Sequence, residues 1–222
     1  MCRIRVLVEG QTEESFVNDV LSPYFASQGH SIYPILLRPR GGVPPYIKAQ
    51  RDIRNSIMQD KGVFVTTFID FYGMPNDWPG RQQAETYQNG EEKAKIVEEA
   101  LMADVCEQMG ESFNPLRFIP YVQLHEFEAL LFADSSVLAQ TLGEPKLEGQ
   151  LTAIRQAFST PEEINDNYET CPSRRIARLY PGYQKVLNGI STTKAMGLLK
   201  LRAECPHFNS WITKLESLAQ QD

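Results

Sequence analysis

The sequence contains few cysteines and no two that lie close together. The four are Cys2, Cys106, Cys171 and Cys205, spread over 222 residues. Without a CxxC pair, a zinc ribbon or a dithiol redox motif is not indicated. The missing paired spacing also disfavours a zinc site built from Cys171, Cys205 and His207. We therefore expect reduced thiols and a cytoplasmic protein.

Long apolar runs are also missing. No stretch approaches the roughly 20 apolar residues of a membrane-spanning helix, and the first residues lead straight into a strand pattern, so we expect neither a membrane partner nor a signal peptide. No GxGxxG follows the first strand, which argues against a dinucleotide-binding enzyme. The composition, 42% hydrophobic and 23% charged, is that of an ordinary globular protein.

Acidic and basic residues are segregated along the chain, although the net charge is only −6. Residues 98–169 hold 14 acids and 3 bases, whereas residues 171–203 hold 7 bases and residues 33–51 hold 4 bases, both without an acid. A polyanion responds to such local fields, so the two basic stretches suit nucleic acid. The alternative is that they are solvated helix faces balancing the acidic stretch.

Hydrophobic periodicity predicts strands that alternate with helices in the first half of the chain. The predicted strands are 3–8, 32–37, 63–69 and 118–122, and the clearest helices between them are 46–59 and 91–109. Pro34 suggests that the second strand is an edge strand or carries a bulge. This order is typical of an α/β fold with a mostly parallel sheet flanked by helices.

Beyond residue 123 only helical segments are predicted. They lie near residues 126–133, 136–142, 147–158, 174–180, 193–203 and 208–219. We therefore predict an α/β domain at 1–123 and a helical C-terminal part at 124–222 that packs on it.

Carboxylates follow two of the predicted strands directly. Glu9 ends the first strand and Asp70 ends the strongest one, and ligands bind at this edge of open parallel sheets. Glu13, four residues after Glu9, faces the same crevice if a helix starts directly after the turn. Three such carboxylates repel each other unless a cation lies between them, and oxygen ligands suit Mg²⁺ or Mn²⁺. Taken singly, Glu9 could equally be a solvated turn residue and Asp70 a loop cap.

Several stretches of the sequence together resemble one bacterial family of unknown function, DUF4276. They are VEGQTEE at 8–14, FIDFYGMP at 68–75 with DWPG at 77–80, LHEFEALLF at 124–132, and CPSRRI at 171–176 followed by CPHFNSW at 205–211. The first two also resemble TOPRIM domains, the Mg²⁺-binding α/β domains of topoisomerases, primases and the nucleases of overcoming-lysogenization-defect proteins. The resemblance implies a TOPRIM-like fold and metal-ligand roles for Glu9, Asp70 and Glu13.

The sequence departs from the TOPRIM pattern at one place. Those domains usually carry Asp-x-Asp, and here Tyr72 occupies the second position, where a phenol is a poor ligand at neutral pH. Asp77 in the following loop is one substitute. Glu126 and Glu128 are two more candidate metal ligands, because the apolar residues around them leave little room for both to be solvated. The alternative for this pair is a helix N-terminus stabilised by acids.

The basic stretch after residue 171 is suited to contacts with a phosphodiester. Ser173 is a plausible cap of a helix that carries Arg174, Arg175 and Arg178, and a helix N-terminus with arginines is a phosphate site. Arg40, in the earlier basic stretch, is a further candidate phosphate ligand.

These features lead to an Mg²⁺- or Mn²⁺-dependent nuclease or nicking enzyme as the first functional hypothesis. Glu9 and Asp70 are its candidate catalytic residues, and Lys185 or Lys194 would stabilise the charge that develops during cleavage. The resemblance alone implies an ATPase partner and a role in phage defence. The alternatives are a non-catalytic binding or regulatory subunit of an ATPase complex, and a phosphotransfer enzyme. The sequence does not specify the oligomeric state, and a homodimer is one option.

Overall fold

A parallel sheet forms the centre of the protein. The computed structural model describes residues 2–37, 42–164 and 169–219. The strands are β1 (Arg3–Val8), β2 (Ser31–Leu36), β3 (Val63–Asp70), β4 (Phe118–Ile119) and β5 (Val122–Gln123). Their order is β2-β1-β3-β4, and β5 continues alongside β3 beyond β4. Every strand pair is parallel.

The position of each strand follows from its sequence. Pro34 lacks an N–H, and β2 lies at the edge of the sheet, as predicted. β3 is almost entirely buried, which accounts for its continuous apolar and β-branched run. Val8 pairs with Phe68 in the register of β1 and β3, so the residues that follow both strands come out at the same edge of the sheet.

Helices connect the strands and form most of the described chain beyond β5. Their bounds are α1 (Gln11–Phe16), α2 (Ser22–Ser27), α3 (Tyr46–Gln59), α4 (Arg81–Ala84), α5 (Gly90–Met109), α6 (Ser135–Thr141), α7 (Glu148–Gln156), α8 (Pro172–Leu179), α9 (Lys185–Met196), α10 (Leu198–Glu204) and α11 (Pro206–Ala219). A π-helical turn, Val17–Leu21, joins α1 to α2. Short 3₁₀ helices lie at Pro115–Arg117, Phe127–Ala133, Pro145–Leu147 and Pro161–Glu163.

Two hydrophobic clusters lie on the two faces of the sheet, because successive side chains of a strand point to opposite faces. On one face, Val6 and Phe68 share a cluster with residues of α1, α2 and the C-terminal helices, among them Trp211. On the other face, residues of α3 and α5 such as Ile53 and Leu101 form the second cluster. The C-terminal helices thus cover one face of the sheet, and the boundary near residue 123 stays a prediction.

The structure confirms the α/β class with a C-terminal helical part, but one predicted helix is wrong. Instead of a single helix at 193–203, α9 begins eight residues earlier at Lys185 and α10 follows it. Gly197 separates them with φ of +75°, a left-handed conformation that glycine adopts without a steric penalty. Within the described ranges, no helix is both long and apolar enough to span a membrane.

Candidate metal centre

Glu9 and Glu13 are brought together by the tight connection between β1 and α1. Glu9 follows the last residue of β1, Gly10 is extended, and α1 begins at Gln11, so Glu13 lies in its first turn. A Cβ on Gly10 would lie 3.2 Å from Glu13 Oε2. Glycine at this position therefore leaves the space that the Glu13 carboxylate occupies.

Asp70 at the end of β3 completes a cluster with these two glutamates, which we call the acidic cluster. One carboxylate oxygen from each of Glu9, Glu13 and Asp70 lies within 4.8 Å of the others. The Asp70 backbone N–H donates to Glu9 Oε2 over 3.1 Å, which fixes the Glu9 side chain against β3. Glu13 and Asp70 are only 4% and 7% exposed. The acidic residues at the two strand ends therefore lie close together, as the sequence predicted.

Burial and mutual repulsion hold protons on the acidic cluster. Burial, followed by the charge of Glu13, raises the pKa of Glu9 to about 8. Burial is also the main reason that the pKa of Glu13 rises to about 7. The pKa of Asp70 is raised well above its usual value by burial and then by the charges of Glu9 and Glu13. The three carboxylates cannot all be ionised near neutral pH without additional positive charge.

The donor set of the acidic cluster fits a hard divalent cation. It offers carboxylate oxygens only, which suits Mg²⁺ or Mn²⁺ rather than a metal that prefers nitrogen or sulfur. Asp70 Oδ1 is buried and has no hydrogen-bond partner among the described residues. An acceptor oxygen of this kind costs free energy unless a ligand satisfies it. Glu9, Glu13 and Asp70 are thus the residues that would hold such an ion.

A fourth carboxylate, that of Glu128, lies beside the acidic cluster and is paired with a lysine. Glu128 is fully buried, and Lys185 Nζ lies 3.2 Å from both of its oxygens. The Tyr183 hydroxyl donates to Glu128 Oε1 at 3.4 Å. The charge of Glu128 contributes, after burial and the nearer charges, to the raised pKa of Asp70. Burial lowers the pKa of Lys185, but the carboxylates of Glu128, Glu126 and Asp70 outweigh this effect and raise it.

Glu126 has a different hydrogen-bond partner from Glu128. Glu126 Oε2 accepts a hydrogen bond from the Ser173 N–H, 3.0 Å away, at the start of α8. The expectation that Ser173 caps this helix is wrong, since α8 already begins at Pro172. A carboxylate therefore occupies the helix N-terminus that was predicted to hold a phosphate. Just before it, His125 adopts φ of +62°, which is uncommon outside glycine and reverses the chain after β5.

The predicted basic site residues are distributed over several contacts. Lys185 contacts a carboxylate next to the acidic cluster, whereas Lys194 pairs with Asp19 at 3.2 Å. Arg178 pairs with Glu169, the Arg175 side chain donates to the Thr170 carbonyl, and Arg174 is exposed. Arg40 lies outside the described residues. The phosphate-binding and catalytic roles of these residues stay predictions.

Tyr72 occupies the position at which the family resemblance led us to expect a second aspartate. The Tyr72 N–H donates to the His125 carbonyl, 3.0 Å away. Asp77, one candidate substitute, accepts the Tyr46 N–H at 2.8 Å and so caps α3 instead of joining the acidic cluster. Sequence reasoning missed Tyr183, which contacts Glu128 from 55 residues away. Its only sequence signal was its position two residues before Lys185.

The parallel sheet and the acidic cluster at its carboxyl edge define a class: an α/β protein with a candidate divalent-cation site. Within that class the chain belongs to the family described as Domain of unknown function (DUF4276), whose model matches residues 8–216. This confirms the family predicted from the sequence motifs. No curated protein with which the chain was compared matches it significantly.

One solved structure is similar over nearly the whole chain. It is the C-terminal region of the OLD protein from Xanthomonas campestris pv. campestris. The two chains are 14% identical, the alignment covers 97% of this chain and 98% of the other, and the TM-score is 0.35. At so low a TM-score we base nothing further on this likeness.

Proposed function

We propose that the protein is an Mg²⁺- or Mn²⁺-dependent nuclease or nicking enzyme that hydrolyses nucleic-acid phosphodiesters. The observation that supports it is the acidic cluster: three carboxylates within 4.8 Å at the carboxyl edge of a parallel sheet, with a buried oxygen on Asp70 that has no partner in the described part of the chain. A divalent cation bound there would supply water activation and stabilisation of charge on a phosphate.

The chain's own residues divide the remaining tasks. Glu9, Glu13 and Asp70 would hold the cation, and the hydrogen bond from the Asp70 backbone N–H to Glu9 keeps the Glu9 carboxylate close to Asp70. Lys185 is held at the site by Glu128, yet its side chain is 54% exposed. Its ammonium group can therefore meet a phosphate that approaches from solvent.

The test is cleavage of supercoiled plasmid and of RNA in Mg²⁺ or Mn²⁺ by the wild-type protein and by Glu9→Gln and Asp70→Asn. We expect cutting by the wild-type protein and none by either variant. Glu14→Gln is the matched control, since Glu14 is next to Glu13 in α1 but outside the acidic cluster. Cutting that survives in both cluster variants would refute the assignment.

A second candidate function is a non-catalytic binding or regulatory subunit of an ATPase complex. The observation in its favour is Tyr72, which replaces the second acid of Asp-x-Asp, while neither Asp77 nor Glu126 joins the acidic cluster. Cation binding seen by calorimetry, with no cutting of any nucleic acid, is the result expected of such a subunit.

Several associations belong to the proposal and rest on the family resemblance or on the sequence alone. They are nucleic acid as a partner, an ATPase partner, phage defence, a homodimer and a cytoplasmic location. Light scattering on the purified protein measures the oligomeric state. Co-purification with an ATPase encoded nearby tests the partner.

A further inference from the structure

The C-terminal basic stretch is less basic in three dimensions than in sequence. Five of its seven bases lie within salt-bridge distance of a carboxylate: Arg178 with Glu169, Lys185 with Glu128, Lys194 with Asp19, Lys200 with Glu204, and Arg202 with Glu216. In each pair the carboxylate offsets the positive charge of the base, so the pair attracts a distant polyanion only weakly. This stretch is therefore a weaker nucleic-acid surface than its charge count suggests.

Helix α3 presents the opposite case. Lys48, Arg51 and Arg54 all lie on its exposed side, and among the described residues none of the three forms a salt bridge. The helix carries a single acid, Asp52, so three cations face solvent against one anion. On a protein with a net charge of −6, this surface is locally positive.

The exposed side of α3 also carries apolar side chains. Ile47 is 70% exposed and Met58 is 55% exposed. With Arg51 and Arg54 they follow the spacing i, i+4, i+7 and i+11, so they form one stripe, roughly 16 Å long at 1.5 Å per residue. Exposed apolar groups at both ends of a row of cations suit a ligand with both charged and apolar surfaces, as a nucleic-acid strand has.

A groove runs along this stripe. Its volume is about 980 Å³, and its lining includes Lys48, Arg51 and Arg54, the acid Asp52, and the side-chain amides of Gln50, Asn55 and Gln108, of which those of Gln50 and Gln108 donate to Asp104. Guanidinium groups bind phosphate oxygens in a bidentate manner, and amides both donate to and accept from base edges. The groove thus offers the chemistry for both parts of a nucleotide.

The start of α3 is tied to the edge of the sheet that carries the acidic cluster. The loop that follows Asp70 holds it by two hydrogen bonds: Asp77 Oδ2 accepts from the Tyr46 N–H at 2.8 Å, and Trp78 Nε1 donates to the Pro44 carbonyl at 2.9 Å. The N-terminal end of α3, with Ile47 and Lys48, therefore lies next to the loop that follows Asp70.

We propose that the exposed face of α3, formed by Ile47, Lys48, Arg51, Arg54 and Met58, docks the nucleic-acid substrate and leads it to the acidic cluster. The proposal rests on the proposed function, whose substrate-binding surface it identifies. The three cations bind backbone phosphates, and Ile47 and Met58 contact sugar or base surfaces.

The experiment measures binding without cleavage. A fluorescein-labelled 20-nucleotide single strand and the corresponding duplex are titrated by fluorescence anisotropy in EDTA, at several salt concentrations. The test variant is Lys48→Ala/Arg51→Ala/Arg54→Ala. The control is Lys61→Ala/Lys95→Ala/Lys146→Ala, which removes three positive charges from exposed lysines elsewhere, two of which pair with Glu99 and Glu144. Circular dichroism confirms that both variants are folded.

We expect the α3 variant to lose about tenfold or more in affinity near 0.1 M salt. Its slope of log K against log salt should fall by about 2 for the single strand, since each lost phosphate contact contributes about 0.7. The control should keep the wild-type slope. The proposal is overturned if the α3 variant binds like the wild type, if the control loses as much, or if the wild-type protein binds neither oligonucleotide.

A parallel assay separates this proposal from the proposed catalysis. Cleavage of bis(4-nitrophenyl) phosphate in Mn²⁺ needs the acidic cluster but no extended docking surface. If the α3 variant cleaves this small diester and binds oligonucleotides normally, the docking surface is wrong and catalysis stands. If α3 substitution abolishes oligonucleotide binding and no form cleaves the diester, the docking surface stands and catalysis fails.

Discussion

Replacing Glu9 by glutamine should stabilise the cation-free protein at alkaline pH. The substitution keeps the size of the side chain and an acceptor oxygen for the Asp70 N–H, but it removes the ionisable group. In the folded protein the pKa of Glu9 is raised from 4.5 to about 8. The folded state thus holds this proton more tightly than the unfolded state, and the free energy of unfolding falls as pH rises from 4.5 to 8. Glutamine does not suffer this loss.

The magnitude follows from the size of the shift. One pKa unit corresponds to about 1.4 kcal/mol, so the full shift sets an upper limit of roughly 5 kcal/mol. Glu9 and Glu13 titrate as a pair, so removing one carboxylate also relieves the other, and the measured gain belongs to both. We expect a gain of about 1–3 kcal/mol at pH 9 and almost none at pH 5. For a chain of this size, that is a rise in Tm of about 2–4 °C per kcal/mol at pH 9.

Urea denaturation in EDTA at pH 5 and pH 9 tests this, with Glu14→Gln as the control that should show no pH-dependent gain. Saturating Mn²⁺ should reverse the order at pH 9, because the wild-type protein gains binding energy that the variant has lost. The reasoning is refuted if Glu9→Gln is less stable than the wild type in EDTA at pH 9. It is also refuted if the difference is the same at both pH values.

Three further results are expected. Glu162→Ala should destabilise the protein by about 2–3 kcal/mol in urea denaturation, because this buried carboxylate accepts the His207 and Phe208 N–H groups at 2.9 Å each and so caps α11. Glu162→Gln should lose less. Gly80→Ala should lower Tm by several degrees, since φ is +72° and the new Cβ would lie 2.8 Å from a carbonyl oxygen of α5. Calorimetry should show Mn²⁺ binding that tightens from pH 6 to pH 9 with proton release, because protons leave the acidic cluster on binding.

The acidic cluster could be predicted because it depends on strand ends. Glu9 and Asp70 follow two apolar runs, and parallel pairing of adjacent strands brings such residues together without further information. Glu13 needed only the short turn at Gly10. The family resemblance added the expected roles, but the convergence itself is a consequence of local sequence and parallel topology.

Several partners of the other charged residues could not be predicted, because they are distant in sequence. Glu126 meets the Ser173 N–H from 47 residues away, and Lys194 meets Asp19 from 175 residues away. A count of bases between residues 171 and 203 contains no information about these contacts. The basic stretch that leads into α3 had the smaller count in sequence, yet among the described residues the exposed cations of α3 form no salt bridge.

The charges around the acidic cluster explain why a cation and a separate docking surface belong together. Glu9, Glu13, Asp70 and Glu128 face one ammonium group, that of Lys185. Without a cation, the carboxylates repel a phosphate when they are ionised, and their oxygens are no longer available as metal ligands when they are protonated. A divalent ion compensates most of the remaining negative charge, and the initial attraction of a polyanion must then come from elsewhere. The exposed cations of α3, a helix whose start is tied to the loop after Asp70, would supply that attraction, so binding of the strand and binding of the cation should be separable by substitution.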